Sequence, residues 1–158
     1  MKCYLAGLIT GAVLDECVAW RRQIRNHYDS WKGEGRYPIT WLDPLNSGEL
    51  ENITADGLKS NISAGMIVAK DMLSVRNADV IVANLDRFGH SRPLTGTLIE
   101  LGWAHMEHKP IIIITKDEYY REHPFLKVMS ADIVETVEEL LEKKLLNKFY
   151  KSMVSAEY

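Results

Sequence analysis

Apolar residues along this chain alternate between short unbroken runs and longer stretches in which they recur every three or four positions. The first run, Lys2 to Ala6, stops at Gly7 and predicts a buried strand followed by a loop. Leu14, Cys17, Val18, Ile24, Tyr28 and Trp31 then recur at helical spacing, which predicts a helix from about Leu14 to Trp31. After the Gly33-Glu34-Gly35 break, Tyr37 to Leu42 predicts a second strand closed by Asp43-Pro44. The polar, aperiodic stretch Leu45 to Ser60 is expected to be the longest loop, and long loops inside compact domains are often functional. Ile62, Met66, Ala69 and Leu73 set out another helix, which Asn77-Ala78-Asp79 ends before the buried run Val80 to Ala83. A turn-rich loop, Leu85 to Leu94, leads into Thr95-Gly96-Thr97 and an amphipathic helix reaching about His108. Lys109-Pro110 and the run Ile111 to Thr115 give a further central strand, and a second loop holds His123-Pro124-Phe125. Ser130 to Ile133 is a short edge-strand candidate, and Val134, Val137, Leu140, Leu141 and Leu145 mark a closing helix.

Strands that are apolar on both faces and alternate with helices predict an α/β fold with a parallel sheet covered on both sides. With about five strands and right-handed crossovers, a flavodoxin-like order is the economical expectation, over residues 1–158 as a single domain. Ligands of such sheets gather at the carboxyl ends of the strands, so the loops after Ala6, Leu42 and Ala83 are expected to form one pocket.

A length of 158 residues and 46% hydrophobic content suffice for a core, and a net charge of −3 without single-sign blocks argues against a general nucleic-acid-binding surface. Cys3 and Cys17 have neither metal-ligand spacing nor the number for a disulfide framework, which fits a reducing cytoplasm. The N-terminal segment is apolar, but its glycines and early acids suit a first strand and loop better than a signal peptide. No run is long enough to span a bilayer as a helix.

The sharpest chemical candidate is Thr95-Gly96-Thr97-Leu98-Ile99-Glu100-Leu101-Gly102-Trp103-Ala104, a glycine-containing turn that opens a helix after a strand and loop. Glu100 is expected in about the first turn, where the positive dipole end favours a carboxylate, and pattern alone favours that ordinary role somewhat. Its apolar company, Leu98, Ile99, Leu101 and Trp103, points instead to a carboxylate in a partly dry cleft. Asp71 divides evenly between a functional acid and a solvated helix face near Lys70 and Arg76. Asp79, at a helix-to-strand turn, reads as structural. Tyr4 could orient a carboxylate through its hydroxyl or serve as a core tyrosine, and Gly7 could admit a ligand or a turn. His105 and His108 read as surface residues because no acid or cysteine pattern completes a metal site. Gly7-Leu8-Ile9-Thr10-Gly11 lacks the dinucleotide fingerprint, and no Walker-type Gly-Lys-Ser/Thr sequence occurs.

The ordered set Tyr4-Leu5-Ala6-Gly7, Lys70-Asp71, Ala78 to Leu85, Gly96-Thr97-Leu98-Ile99-Glu100-Leu101-Gly102-Trp103-Ala104 and Lys109-Pro110 resembles the nucleoside 2-deoxyribosyltransferase family over most of the chain. The resemblance implies that Glu100 attacks the anomeric carbon, that Asp71 assists protonation or positions the sugar, and that Tyr4 holds the nucleophile. It also implies that Gly7 and Ile9 line the base pocket, that the Asp43 to Gly48 loop, with Asn46, selects the base, and that no metal or organic cofactor is needed. Thr95, Gly96 and Thr97 are implied at the sugar. A homo-oligomer is implied, in which a neighbour completes the site through a segment near Lys127 and Met129. Leu94 departs from the family, which usually has Asp or Ser six residues before the nucleophile to contact the sugar's 5′ end. Ser91, Arg92, Thr95 or Thr97, or a neighbour's Lys127, would have to substitute. Arg92 and Lys127 would suit a 5′-phosphate, as in the related nucleoside 5′-monophosphate N-glycosidases, whereas Leu8 and Thr10 stand where that branch tends to carry Ser and Arg. The partners expected are a small nucleoside or nucleotide and a free nucleobase, with neither nucleic-acid polymer nor membrane. Three readings stand open: deoxyribosyl transfer, hydrolysis of a nucleoside 5′-monophosphate, and a non-catalytic nucleotide-binding module.

Overall fold

The computed structural model describes residues 1–9, 12–30, 38–46, 53–54, 57–58, 62–91 and 93–154, with backbone alone at 46, 53–54, 57–58 and 153–154. Five strands form one parallel sheet: β1 (Lys2–Gly7), β2 (Thr40–Leu42), and, after a separate two-stranded antiparallel pair β3 (Ile53–Thr54) and β4 (Gly57–Leu58), β5 (Val80–Asn84), β6 (Ile111–Ile114) and β7 (Asp132–Val134). Their order, β2-β1-β5-β6-β7, is the flavodoxin-like order expected from the sequence. The register is continuous, with Cys3 opposite Val80, Gly7 opposite Asn84, Val82 opposite Ile112 and Ile113 opposite Ile133.

Because side chains alternate across a strand, each central strand supplies both cores. Tyr4, Ala6, Ile81, Ala83, Ile111 and Ile113 pack on the face covered by α2 (Ala64–Asn77), α3 (Thr95–Met106), α4 (Glu118–Glu122) and α5 (Pro124–Met129). Cys3, Leu5, Val80, Val82, Ile112 and Ile114 pack on the other face, against α1 (Leu14–Asp29), α6 (Val137–Glu142) and α7 (Leu145–Val154). Both cysteines are free and buried in these cores.

Several local expectations change. The stretch expected as one long loop after Leu45 contains a 3-10 turn, Pro44–Asn46, and the β3-β4 pair. The loop around His123-Pro124-Phe125 is two short helices, because Asp117 caps α4 by accepting from the Tyr119 N–H and Pro124 sits in the first turn of α5, where its missing N–H costs nothing. The closing helix is divided at Lys143 and Lys144, the latter at φ 51°. Asp79 is structural as read: its carboxylate accepts from the Lys2 N–H at 2.6 Å and its N–H donates to Lys2 O at 2.8 Å, fixing β5 to the start of β1. His105 and His108 are exposed. Among the described residues no helix is long and apolar enough to cross a membrane.

Candidate active site

The helix α3 carries a charged residue on the stripe that packs against the sheet, and α2 carries a second acid whose charge acts on it. The buried stripe of α3 is Thr97, Glu100, Leu101 and Ala104, at the spacing of successive helical turns. Glu100 is the sixth residue of that helix, not in its first turn, so the helix N-terminus does not account for it. Instead the Tyr4 hydroxyl donates to Glu100 Oε1 at 3.0 Å, within the core. Tyr4 is wholly buried and Glu100 is 9% exposed.

Burial raises the Glu100 pKa to about 8; the negative charge of Asp71 adds to the rise, while the Tyr4 hydrogen bond and the Arg21 guanidinium oppose it. Asp71, half-buried on α2, therefore acts on the Glu100 carboxylate through space, and it acts likewise on Tyr4. Burial, then the Glu100 and Asp71 charges, push the Tyr4 phenol well above its ordinary range, so the hydroxyl stays a proton donor. Glu100 and Tyr4 thus meet in the core, and the charge of Asp71, from a third element, acts on both. A carboxyl whose pKa lies near neutrality, held in a fixed orientation, is suited to nucleophilic or acid-base work.

Gly7 is closely packed within the chain. A Cβ there would come within 3.0 Å of Trp20 Cζ2 and 3.2 Å of Asn84 O. Its role as an approach for ligand is therefore not needed to explain it. Gly96 differs, since a Cβ there would meet nothing within 4 Å. Thr95 and Gly96 are exposed at the start of α3, whereas Thr97 is buried. Ile9 is half-buried against the Tyr4-side core. Asn46 lies in the 3-10 turn after β2, and Arg92 and Thr10 lie outside the described residues. Leu94 is 2% exposed in the core at the N-cap of α3, where it makes no side-chain cap. Leu8 is buried too. On α5, Met129 is half-buried, and Lys127 is exposed with its ammonium 2.9 Å from Glu122. Gly7 and Asn84 lie opposite each other at the ends of β1 and β5, while residues 10–11 and 47–52, on which one common pocket would depend, lie outside those described.

The sequence reading missed Arg21. It is 1% exposed on the inner stripe of α1, among Cys17, Trp20, Ile24 and Tyr28. Its guanidinium donates to Cys17 O, Leu5 O and Gly7 O, lies 4.4 Å from the Trp20 ring centroid and sits 3.4 Å from Asp43 Oδ1. The signal was present: an arginine at a position the helical period assigns to the core.

Comparison with curated protein sequences returns no match. Among solved structures, the 2-desoxiribosyltransferase from Leishmania mexicana is 26% identical, with 73% of this chain and 65% of that chain covered and a TM-score of 0.49. The chain thus spans about two thirds of that protein's length. Clostridium botulinum CMP N-glycosidase, BcmB, is 19% identical with a TM-score of 0.55, covering 92% of this chain and 98% of that one. BlsM is 19% identical with a TM-score of 0.61, covering 99% and 97%. These last two likenesses are of fold. The family model for nucleoside 2-deoxyribosyltransferase matches residues 3–147, a span that includes β1, α2, β5 and α3 with Tyr4, Asp71 and Glu100, and the chain belongs to that family.

Proposed function

We propose that the protein cleaves the N-glycosidic bond of a deoxynucleoside and transfers the 2-deoxyribose to a second base through a sugar covalently held on Glu100. The observation that carries this reading is the buried Glu100 carboxyl, held by the Tyr4 hydroxyl at 3.0 Å and raised to a pKa of about 8. Family membership supports an enzyme of the deoxyribosyltransferase or N-glycosidase kind. As the base departs, its nitrogen takes the electron pair of the C1′–N bond and the sugar gains oxocarbenium character. The Glu100 carboxylate forms the C1′–O bond, and Asp71 assists protonation of the leaving base or positions the sugar. A nitrogen of the second base then attacks C1′ and releases the carboxylate, so configuration is retained. Tyr4 fixes which carboxylate oxygen is free to attack.

The test is incubation with a deoxynucleoside and a second free base. A new deoxynucleoside is expected; no exchange product from folded protein would contradict the transfer reading. Hydrolysis of a nucleoside 5′-monophosphate is the second reading. It is favoured by Leu94, whose side chain is buried and cannot hydrogen-bond a sugar 5′-hydroxyl. That reading requires free base and sugar phosphate without an acceptor base, and it fails if the unphosphorylated nucleoside turns over equally well. The third reading, a binding module, requires that Glu100→Ala keep ligand affinity while the parent protein shows no turnover.

We also infer a homo-oligomer. The helices α2 and α3 pack on each other and expose Met66, Val68, Leu73, Ile99 and Met106, apolar side chains that a second copy of the chain would cover. Leu73→Arg is expected to lower the mass seen by sedimentation, and an unchanged monomeric mass in both proteins would contradict the inference.

A further inference from the structure

The Arg21 guanidinium is a buried cation whose partners belong to different elements. Cys17 O is one turn back on α1, Leu5 O and Gly7 O are at the end of β1, and Asp43 is the first residue after β2. Asp43 in turn accepts from the Leu45 N–H at 3.0 Å and lies 3.6 Å from Arg25 Nη1, so it anchors the start of the loop after β2. The side chains of Arg21 and Asp43 are only 2% and 3% exposed. A buried pair of this kind is costly to break from either side, because the remaining charge loses its nearest counter-charge.

We propose that Arg21 is a positioning residue: its guanidinium fastens the ends of β1 and β2 beside Glu100 and, with Asp43 as its counter-charge, sets the field in which the nucleophile ionises. This rests on the reading of Glu100 as the nucleophile.

The groups facing Glu100 can be named. Tyr4 comes from β1, Asp71 from α2 and Arg21 from α1. Among the described residues, the other elements with the most contacts to α3 add no group that acts on the Glu100 charge: β5 ends at Asn84, β6 is Ile111 to Ile114, and the α5 cation Lys127 is engaged with Glu122. Among the described residues, Arg21 is thus the cation that favours the Glu100 carboxylate, and it acts on Tyr4 in the same sense. Burial works against the charge of Arg21 and Asp43 favours it, and the guanidinium keeps its charge with or without Asp43. The arrangement ties the beginning of the loop after β2 to the ionisation of a carboxyl on the neighbouring helix.

The two members of the pair therefore have opposite effects on Glu100. Removing the arginine charge leaves Tyr4, among the described residues, to oppose burial and Asp71. Removing the Asp43 charge leaves Arg21 uncompensated and deepens the positive field. A purely structural pair would not give opposite signs, since breaking it from either side loosens the same strand ends.

The experiment is a carbon-13 titration of the Glu100 side-chain carboxyl in the parent protein, Arg21→Met, Arg21→Lys and Asp43→Asn, with circular dichroism to establish folding. The midpoint is expected to rise in Arg21→Met, to stay near that of the parent in Arg21→Lys, and to fall in Asp43→Asn. On the turnover side, kcat/KM at pH 6.5 is expected to drop about threefold or more in Arg21→Met and to rise about threefold in Asp43→Asn, a factor equal to about half a pH unit of midpoint movement. An unchanged or raised midpoint in Asp43→Asn, or an unchanged one in Arg21→Met, overturns the proposal. If Arg21→Met does not fold, Asp43→Asn and Arg21→Lys decide it. The titration needs no substrate, so failure of the glycosyl-transfer reading shows separately, as absent turnover alongside opposed midpoints.

Discussion

Glu16 and Glu100 occupy comparable addresses, each on a helix that follows a loop at the carboxyl end of a central strand, and the fold treats them in opposite ways. Glu16 is in the first turn of α1, accepts from the Val13 N–H at 3.1 Å and lies 2.8 Å from His90 Nε2, with its side chain 26% exposed. The His90 contact holds its carboxyl below the usual range; burial opposes it, and the Val13 N–H adds to the lowering. Glu100 is one turn further into α3, on the buried stripe, and burial and Asp71 carry its pKa to about 8. One turn of helix separates a carboxylate that serves its own helix end from one withheld from water. Position relative to the packed stripe decides between the two, and nearness to a helix start does not.

The largest expected effect is on turnover. Glu100→Gln should lower kcat/KM by about 10³-fold or more, as loss of a covalent nucleophile does. Glu16→Gln should change it by less than about threefold, measured on the same deoxynucleoside. Comparable losses in both variants would erase the distinction.

The next effect is on pH dependence. Since the attacking species is the carboxylate and its pKa is about 8, kcat/KM should rise about tenfold per pH unit between pH 6 and pH 7.5 and flatten above pH 8. A plateau already complete at pH 6 would contradict the buried-carboxyl account. Tyr4→Phe removes the hydrogen bond that opposes the rise, so the limb should move to higher pH and turnover near neutrality should fall by about tenfold.

The smallest effect is on stability, with opposite signs at the two sites. The Glu100 pKa is raised on folding, from 4.5 to about 8, so the native state is favoured while the group is protonated and loses that advantage as pH rises through 8. Glu100→Gln should match the parent near pH 4 and exceed it by up to a few kcal/mol at pH 9, read from urea unfolding. The Glu16 pKa is lowered on folding, so its contribution is present at neutral pH and lost under acid. Glu16→Gln should be slightly less stable at pH 7 and indistinguishable from the parent at low pH.

What the sequence made legible follows from the same contrast. The runs Val80 to Ala83 and Ile111 to Thr115 announced buried parallel strands because both of their faces are apolar, and the sheet order followed from chain topology. The short helices α4 and α5 were not visible, since five or six residues give too little period and only Asp117 and Pro124 mark their starts. Within the site, Tyr4, Asp71 and Glu100 were legible as an ordered set, and the 3.0 Å contact between Tyr4 and Glu100 joins residues 96 positions apart. Arg21 was not, because an arginine in a helix is ordinarily on the solvated face, and only its placement between Trp20 and Ile24 on the inner stripe marks it as different. Gly7 carried two meanings in the sequence, a ligand approach or a turn, and the closeness of Trp20 and Asn84 adds a third, packing, that no pattern announced.

The most direct test of the central claim is mass spectrometry of the protein quenched during turnover of a deoxynucleoside. The account predicts a 2-deoxyribosyl adduct on the peptide containing Glu100, discharged by added free base and absent from Glu100→Gln. An adduct on a different residue, or turnover by Glu100→Gln at the parent rate, would contradict it.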